Sequence, residues 1–212
     1  LKFSSIVLAY AGNSLLLTAL YTALIVWIVG LAVPVTASYI ICAVIAAPAL
    51  IALKVPEFAA HMFIFYYAVL SEVSPPTALS PFAASAITGG DPYKTTLQCW
   101  KYCLPAFLVP FIFVLDPAGT GLLLTGSFKT LATANWASIA MLTFTAAVGI
   151  LALAGGFQGW LFRRTALHER IMLLVAGILL FYPVKTTSLI GFALVAVVLA
   201  LQFMVNPRAK AT

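Results

Sequence analysis

Long apolar runs, separated by short proline, glycine or charged punctuation, make up most of this chain. No charge falls between Ser14 and Leu53. Ser14 is a candidate cap for a helix running to Gly30. A turn, Gly30-Leu-Ala-Val-Pro34-Val35-Thr36-Ala37-Ser38-Tyr39, leads into a second apolar arm from Ala37 to Leu53, closed by Lys54-Val-Pro56-Glu57. Two readings compete: two full membrane spans joined by a tight turn, or a re-entrant hairpin whose tip stays within the membrane. The turn carries neither charge nor the aromatic belt usual at a headgroup surface, which favours the hairpin. Its exposed backbone groups then need burial in protein. Leu1 to Asn13 reads as a lead-in, with Lys2 as an interface anchor.

A run from Phe58 to Ile87 is long enough to cross a bilayer, yet holds Ser71-Glu72-Val-Ser74-Pro75-Pro76-Thr77 at its centre. Two prolines remove two donors and forbid regular helix at Ser74, so the spacing predicts a helix interrupted at mid-membrane. Glu72 is the one acid inside a clear membrane run, and hydroxyls at Ser71, Ser74 and Thr77 surround it. A carboxylate there is costly, so it must pair, bind a cation or hold a proton. The competing reading has Glu72 hydrogen-bonded to a neighbouring segment, locking the break. His61, near Glu57, reads as an interfacial or packing histidine rather than a proton carrier.

Gly89-Gly90-Asp91-Pro92 ends this helix and starts the next, with Asp91 as cap and Pro92 in the first turn. The segment from Thr95 to Leu115 begins amphipathic and becomes a kinked span around Pro105 and Pro110. Pro117 to Thr130 reads as a loop. A span follows from about Thr133 to Leu161, then a charged loop from Phe162 to Arg170. Ile171 to Tyr182 covers only about 18 Å as helix and is expected to be extended by flanking residues. Leu189 to Val205 completes a helical hairpin, and Asn206 to Thr212 is a basic tail. The units are therefore residues 1–57 (hairpin, tip 30–37), 58–90 (broken helix, break 71–77), 91–132 (arm, kinked span and loop) and 133–212 (C-terminal helices and tail).

Composition sharpens the class. The chain is 64% hydrophobic and 8% charged, with mean hydropathy +1.13. A soluble domain is nearer 25% charged, so this is an integral membrane protein, and without strands that alternate apolar and polar residues it reads as all-α rather than a barrel. The net charge of +6 reads as topology, not nucleic-acid binding. With the Gly89 turn inside, Lys94, Lys101, Arg163, Arg164, Arg170, Arg208 and Lys210 are cytoplasmic, and Lys2, Lys54, Lys129 and Lys185 are outside. The hairpin then opens from the outer face. Cys42, Cys99 and Cys103 read as packing residues, since further metal ligands are not in sequence reach. A chain beginning at leucine, without a leader pattern, reads as a fragment of a longer polypeptide.

Three stretches carry a family resemblance. Gly30-Leu-Ala-Val-Pro34-Val-Thr36-Ala-Ser-Tyr39 resembles the second hairpin tip of the large membrane component of tripartite ATP-independent periplasmic (TRAP) transporters. Ala47-Pro48-Ala49-Leu50, Val55-Pro56 and Ala59-Ala60-His61 resemble the next arm and turn. Leu70-Ser-Glu-Val-Ser74-Pro75-Pro76-Thr77, then Phe82-Ala-Ala-Ser85 and Gly90-Asp91-Pro92, resemble the broken helix and its exit. More closely, these stretches resemble fused permeases that work with TAXI-class binding proteins, and the family resemblance covers roughly the first 128 residues. Ala32 and Val35 stand where the family pattern has glycine and threonine, and Ser74 replaces threonine while keeping a hydroxyl.

The resemblance implies ion-coupled secondary uptake of a small organic acid by an elevator mechanism. A periplasmic solute-binding protein delivers the substrate, and a small membrane subunit is fused in a preceding part that also holds the inward-facing repeat. It implies a bacterial or archaeal inner membrane, sodium or a proton as coupling ion, and no cofactor. The ion and substrate site is then expected at Gly30, Pro34, Val35, Thr36, Ser71, Glu72, Ser74, Pro75, Pro76 and Thr77, with sodium at Gly30, Thr36, Ser71, Ser74 and Thr77. Helix ends meeting at a tip and a break favour carboxylates at N-termini and cations at free carbonyls. Two other classes compete with this reading. A membrane scaffold explains the hydrophobicity but not the Glu72 and proline-pair constellation. An intramembrane enzyme would draw on Ser71, Glu72 and His61, for which no motif exists.

Overall fold

The computed structural model describes residues 2–116, 119–120, 134–182 and 184–204. The expected loop at 117–130 and the basic tail fall almost entirely outside them. Every named element is helical: α1 Lys2–Tyr10, α2 Leu15–Gly30, α3 Val35–Ala52, α4 Glu57–Leu70, a 3-10 turn Ser71–Val73, α5 Leu79–Thr88, α6 Pro92–Cys103, a 3-10 turn Leu104–Leu108, α7 Val109–Leu115, α8 Trp136–Gln158, α9 Leu167–Phe181 and α10 Lys185–Met204. Among the described residues, four segments are long and apolar enough to cross a membrane: Val35–Ala52, Pro92–Leu115, Trp136–Gln158 and Lys185–Met204.

Local chemistry sets the ends. Asp91 accepts from the Lys94 N–H at 2.8 Å, with Pro92 in the first turn of α6. Asn135 accepts from the Ser138 N–H at 3.2 Å and starts α8. Gly89 and Gly159 stop their helices with φ of 69° and 74°, a region that glycine enters without steric cost. Two boundaries differ from the sequence reading. The lead-in is itself a helix, α1, whose Ser4 hydroxyl donates to the Ile45 carbonyl of α3 at 2.8 Å. The charged loop is shorter than expected, because His168, Glu169 and Arg170 already lie in the first turn of α9.

The first core joins α2, α3, α4 and α7. Small side chains such as Ala23, Ala46 and Ala60 are fully or almost fully buried there, allowing close helix approach. Phe63 of α4 meets Phe111 of α7 edge to face, with ring centres 5.5 Å apart. The Tyr67 hydroxyl donates to the Phe107 carbonyl, which pins the proline-bent segment before α7 onto the broken helix. The second unit is α8, α9 and α10. Its close packing leaves no room at Gly177, where a Cβ would stand 2.4 Å from Leu153 Cγ. Ile112, Leu153 and Phe181 join the two units.

Candidate functional site

The hairpin of α2 and α3 turns at 31–34 and meets the interrupted helix at Ser71–Ala78. At the tip, the Leu31 N–H bonds back to the Trp27 carbonyl at 3.1 Å and the Ala32 N–H to the Val29 carbonyl at 3.0 Å. Pro34 then starts α3 with no side-chain cap. At the break, α4 tightens into its 3-10 turn, Ser74 becomes extended, the Pro75–Pro76 bond is cis, and Ala78 takes a left-handed conformation before α5, again without a side-chain cap. Two helix C-termini and two uncapped N-termini therefore converge on one region.

Gly30 is the point of contact. A Cβ there would lie 2.4 Å from Ser71 Oγ, 2.7 Å from Ser71 Cβ and 3.2 Å from Ser38 Oγ. Only glycine lets the tip backbone reach the break. Ser71, Ser74 and Ser38 are completely buried. The serines at the break turn their protons onto their own helix, Ser71 Oγ donating to the Ala68 carbonyl at 2.7 Å and Ser74 Oγ to the Leu70 carbonyl at 2.9 Å. Each hydroxyl proton is thus spent on a carbonyl of the preceding turn, while the hydroxyl lone pairs remain free to accept. Ser74 uses one to accept the Trp27 indole N–H at 2.9 Å, which ties hairpin to break directly. The Trp27 ring also meets Phe107 edge-on, 6.2 Å between centres.

Of the buried hydroxyls at this junction, Thr77 Oγ1 makes no hydrogen bond, and Ser38 Oγ faces only the thiol of Cys42. The side chain one turn beyond Ser38 is the Cys42 thiol, a weak partner. Glu72 is half-buried and has no hydrogen-bond or ion-pair partner among the described residues. Among the described residues, no neighbouring segment bonds Glu72. A buried hydroxyl or carboxylate without a partner is costly; among the described residues such hydroxyls also occur at Thr18 and Thr22 of α2 and at Thr165, so the junction is one of several places that hold them.

The expected site residues divide. Gly30, Ser71 and Ser74 come together. Glu72, Pro75 and Thr77 are partly buried in the break and Val35 in the tip, whereas Pro34 and Pro76 are exposed. Thr36 is also exposed and lines a different groove, with Tyr39, Glu57 and His61. His61 Nδ1 lies 3.0 Å from the Tyr39 hydroxyl, and Nε2 lies 4.0 Å from Glu57. Sequence reasoning missed Trp27 and Ser38. Their signal was positional: Trp27 precedes Gly30 by one helical turn, and Ser38 is a polar residue facing inward from an apolar arm.

No grouping of histidine, cysteine or carboxylate residues fit to hold a transition metal occurs among the described residues. The oxygen-rich junction has donors of the kind hard cations prefer, not those of a metal that prefers nitrogen or sulfur. No curated protein and no solved structure matches the chain. A family model described as a domain of unknown function (DUF3394) matches residues 132–190, within the second helical unit. A family model for the tripartite ATP-independent periplasmic transporter, DctM component, matches residues 1–119, which include both tip and break. That match takes in more than half of the chain, so the chain belongs to the DctM component family of tripartite periplasmic transporters and is a transporter component rather than an enzyme.

Proposed function

We propose that this chain carries one half of the ion and substrate site of a secondary transporter that takes up a small organic carboxylate, driven by sodium or a proton. The family acts in secondary transport of organic acids together with a periplasmic binding protein and a small membrane subunit. The finer reading is our own. The partner is a TAXI-class protein, the small subunit is fused to a preceding part of the polypeptide, and the membrane is a prokaryotic inner membrane. Hairpin and broken helix travel together as part of an elevator, with the hairpin opening outward.

The observation that carries this reading is the contact of Gly30 with Ser71, where a Cβ would be 2.4 Å from the serine oxygen. It sets the C-terminal carbonyl end of α2 beside hydroxyls that hold their lone pairs free. A cation gains from both. The uncapped N-termini of α3 and α5 offer N–H groups to a carboxylate. At 16 residues, α2 is about 24 Å long, short of the roughly 30 Å hydrocarbon core. That length supports a tip that stops within the bilayer. Sodium is assigned to Gly30, Ser71, Ser74 and Thr77, with Thr36 joining if the tip closes further. Glu72 serves coupling, as a sodium ligand or as the proton carrier.

The test is uptake into proteoliposomes by the complete permease with its binding protein, under a sodium gradient or a pH gradient, in wild type and Glu72→Gln. Uptake driven by pH alone and abolished by Glu72→Gln makes Glu72 the proton carrier. A sodium requirement with activity retained in Glu72→Gln places the ion on the backbone and hydroxyls of tip and break. Uptake that responds to neither gradient overturns coupled transport, and absence of uptake under both gradients favours the scaffold reading.

A further inference from the structure

A groove of about 710 Å³ runs beside the hairpin, lined by Thr36, Tyr39, Glu57, Phe58, His61, Met62 and Phe65. Thr36 belongs to the first turn of α3, next to the tip, while Glu57 opens α4 at the other end of the lining. Glu57 is the sole carboxylate and the sole formal charge on these walls, in a chain whose net charge is +6. Its side chain is 80% exposed, so it stands at the mouth. Between mouth and tip come His61 and Tyr39. The tyrosine hydroxyl and His61 Nδ1 are 3.0 Å apart, and Phe65 meets the Tyr39 ring edge-on with centres 5.7 Å apart, which fixes both polar groups in the wall. His61 Nε2 stops 4.0 Å from Glu57, beyond hydrogen-bond reach, so both remain available to a visitor.

The chemistry of the lining selects by sign. A carboxylate at the mouth repels an organic anion and attracts a cation. Apolar walls such as Phe58 and Met62 keep the local dielectric low and focus that field. The inner polar groups are two hydroxyls and an imidazole, which can replace part of the water shell of a small hard cation. We propose that this groove is the entry path of the coupling sodium ion, leading from the outer surface at Glu57, past His61 and Tyr39, to Thr36 at the hairpin tip. The inference rests on the cation-coupled, outward-opening reading above and adds a route separate from that of the anionic substrate. Thr36 is the handover point, which gives its placement away from Gly30 and Ser71 a role.

The experiment measures initial uptake by the complete permease in proteoliposomes against external sodium concentration at low ionic strength. Wild type, Glu57→Gln and Glu57→Lys are compared. The expected result is a half-saturating sodium concentration raised about threefold by Glu57→Gln and about tenfold by Glu57→Lys, the scale of an exposed charge interaction. The maximal rate is unchanged, and choline chloride narrows the differences by screening. Half-saturation equal to wild type in both variants, with sodium dependence intact, overturns the groove and leaves the coupling reading standing. So does a lower maximal rate at unchanged half-saturation. Wild-type uptake without any sodium dependence overturns sodium coupling itself, and the groove with it.

Discussion

Two acids in this chain meet opposite fates. Glu72, at the break, is half-buried with no partner among the described residues. Glu169, in the first turn of α9, is 1% exposed and has both oxygens bonded. It accepts from Arg163 at 2.6 Å, from the Ala166 N–H at 2.8 Å and from the Gln202 amide at 2.8 Å. Arg163 also donates to the Leu201 carbonyl, and Arg170 covers the Gly156 and Phe157 carbonyls at the end of α8. That cluster ties α8, α9 and α10 into one body. Burial pushes the Glu169 carboxyl up, but the Ala166 N–H, the Arg163 guanidinium and the Gln202 amide outweigh it and hold the group below the usual carboxylate range. The second unit still has unpaired donors, Arg163 Nε and Thr165 Oγ1, yet its one buried acid is fully satisfied. A satisfied acid fastens helices, whereas an unsatisfied one beside a helix break is available to an ion.

The contrast can be broken most severely at two glycines. Gly30→Ala forces the tip away from Ser71 and is expected to cut uptake by the complete permease at least about tenfold, the scale of a 1–3 kcal/mol overpacking cost. The thermal midpoint in detergent should move little, because the tip can back away. Gly177→Ala, with a Cβ 2.4 Å from Leu153 Cγ, has no such freedom. It should lower the midpoint with normal uptake per folded molecule. Equal loss of uptake in both variants would erase the distinction.

Glu169→Gln comes next, since removing one member of a buried pair costs about 3 kcal/mol. The pH dependence follows from the lowered carboxyl. Its contribution is complete above the unfolded value of about 4.3 and is lost as pH falls through the lower folded value. Wild-type stability in detergent should therefore drop on acidification below about pH 4, and Glu169→Gln should show a shallower drop. A smaller effect is expected from Trp27→Phe, which keeps the ring against Phe107 and deletes only the bond to Ser74. The loss is about 1 kcal/mol, read as a several-fold fall in uptake with the fold intact.

Much of the first unit was legible because prolines and glycines punctuate it. Pro75 and Pro76 remove two donors, and the helix does stop at Leu70 and resume at Leu79. The hairpin arms followed from charge-free runs and a candidate cap, although the Ser14 bond to the Leu17 N–H is long, 3.5 Å. Other features were not legible, for physical reasons. The nine-residue α1 is too short to announce itself by periodicity and forms by packing on α3. Thr36 and Ser38 are both hydroxyl residues of one turn, and only the helix phase decides that Ser38 faces Gly30 while Thr36 faces the groove. Charges at 163–170 read as a solvated loop, since sequence gives a charge but not its partners. Glu169 is buried because Arg163 and Gln202, 6 and 33 residues away, reach it.

The central claim is that the junction of tip and break takes the ion and the substrate. The most direct measurement is alkylation of Ser74→Cys in a permease otherwise free of cysteine, with and without sodium and with and without substrate presented by the binding protein. A cysteine at Thr165 in the second unit serves as the reference. The account predicts that sodium and substrate together slow labelling at position 74 about tenfold or more, the change expected when a tip closes over a bound ligand, and leave position 165 unchanged. Equal labelling rates at position 74 under all conditions would contradict it.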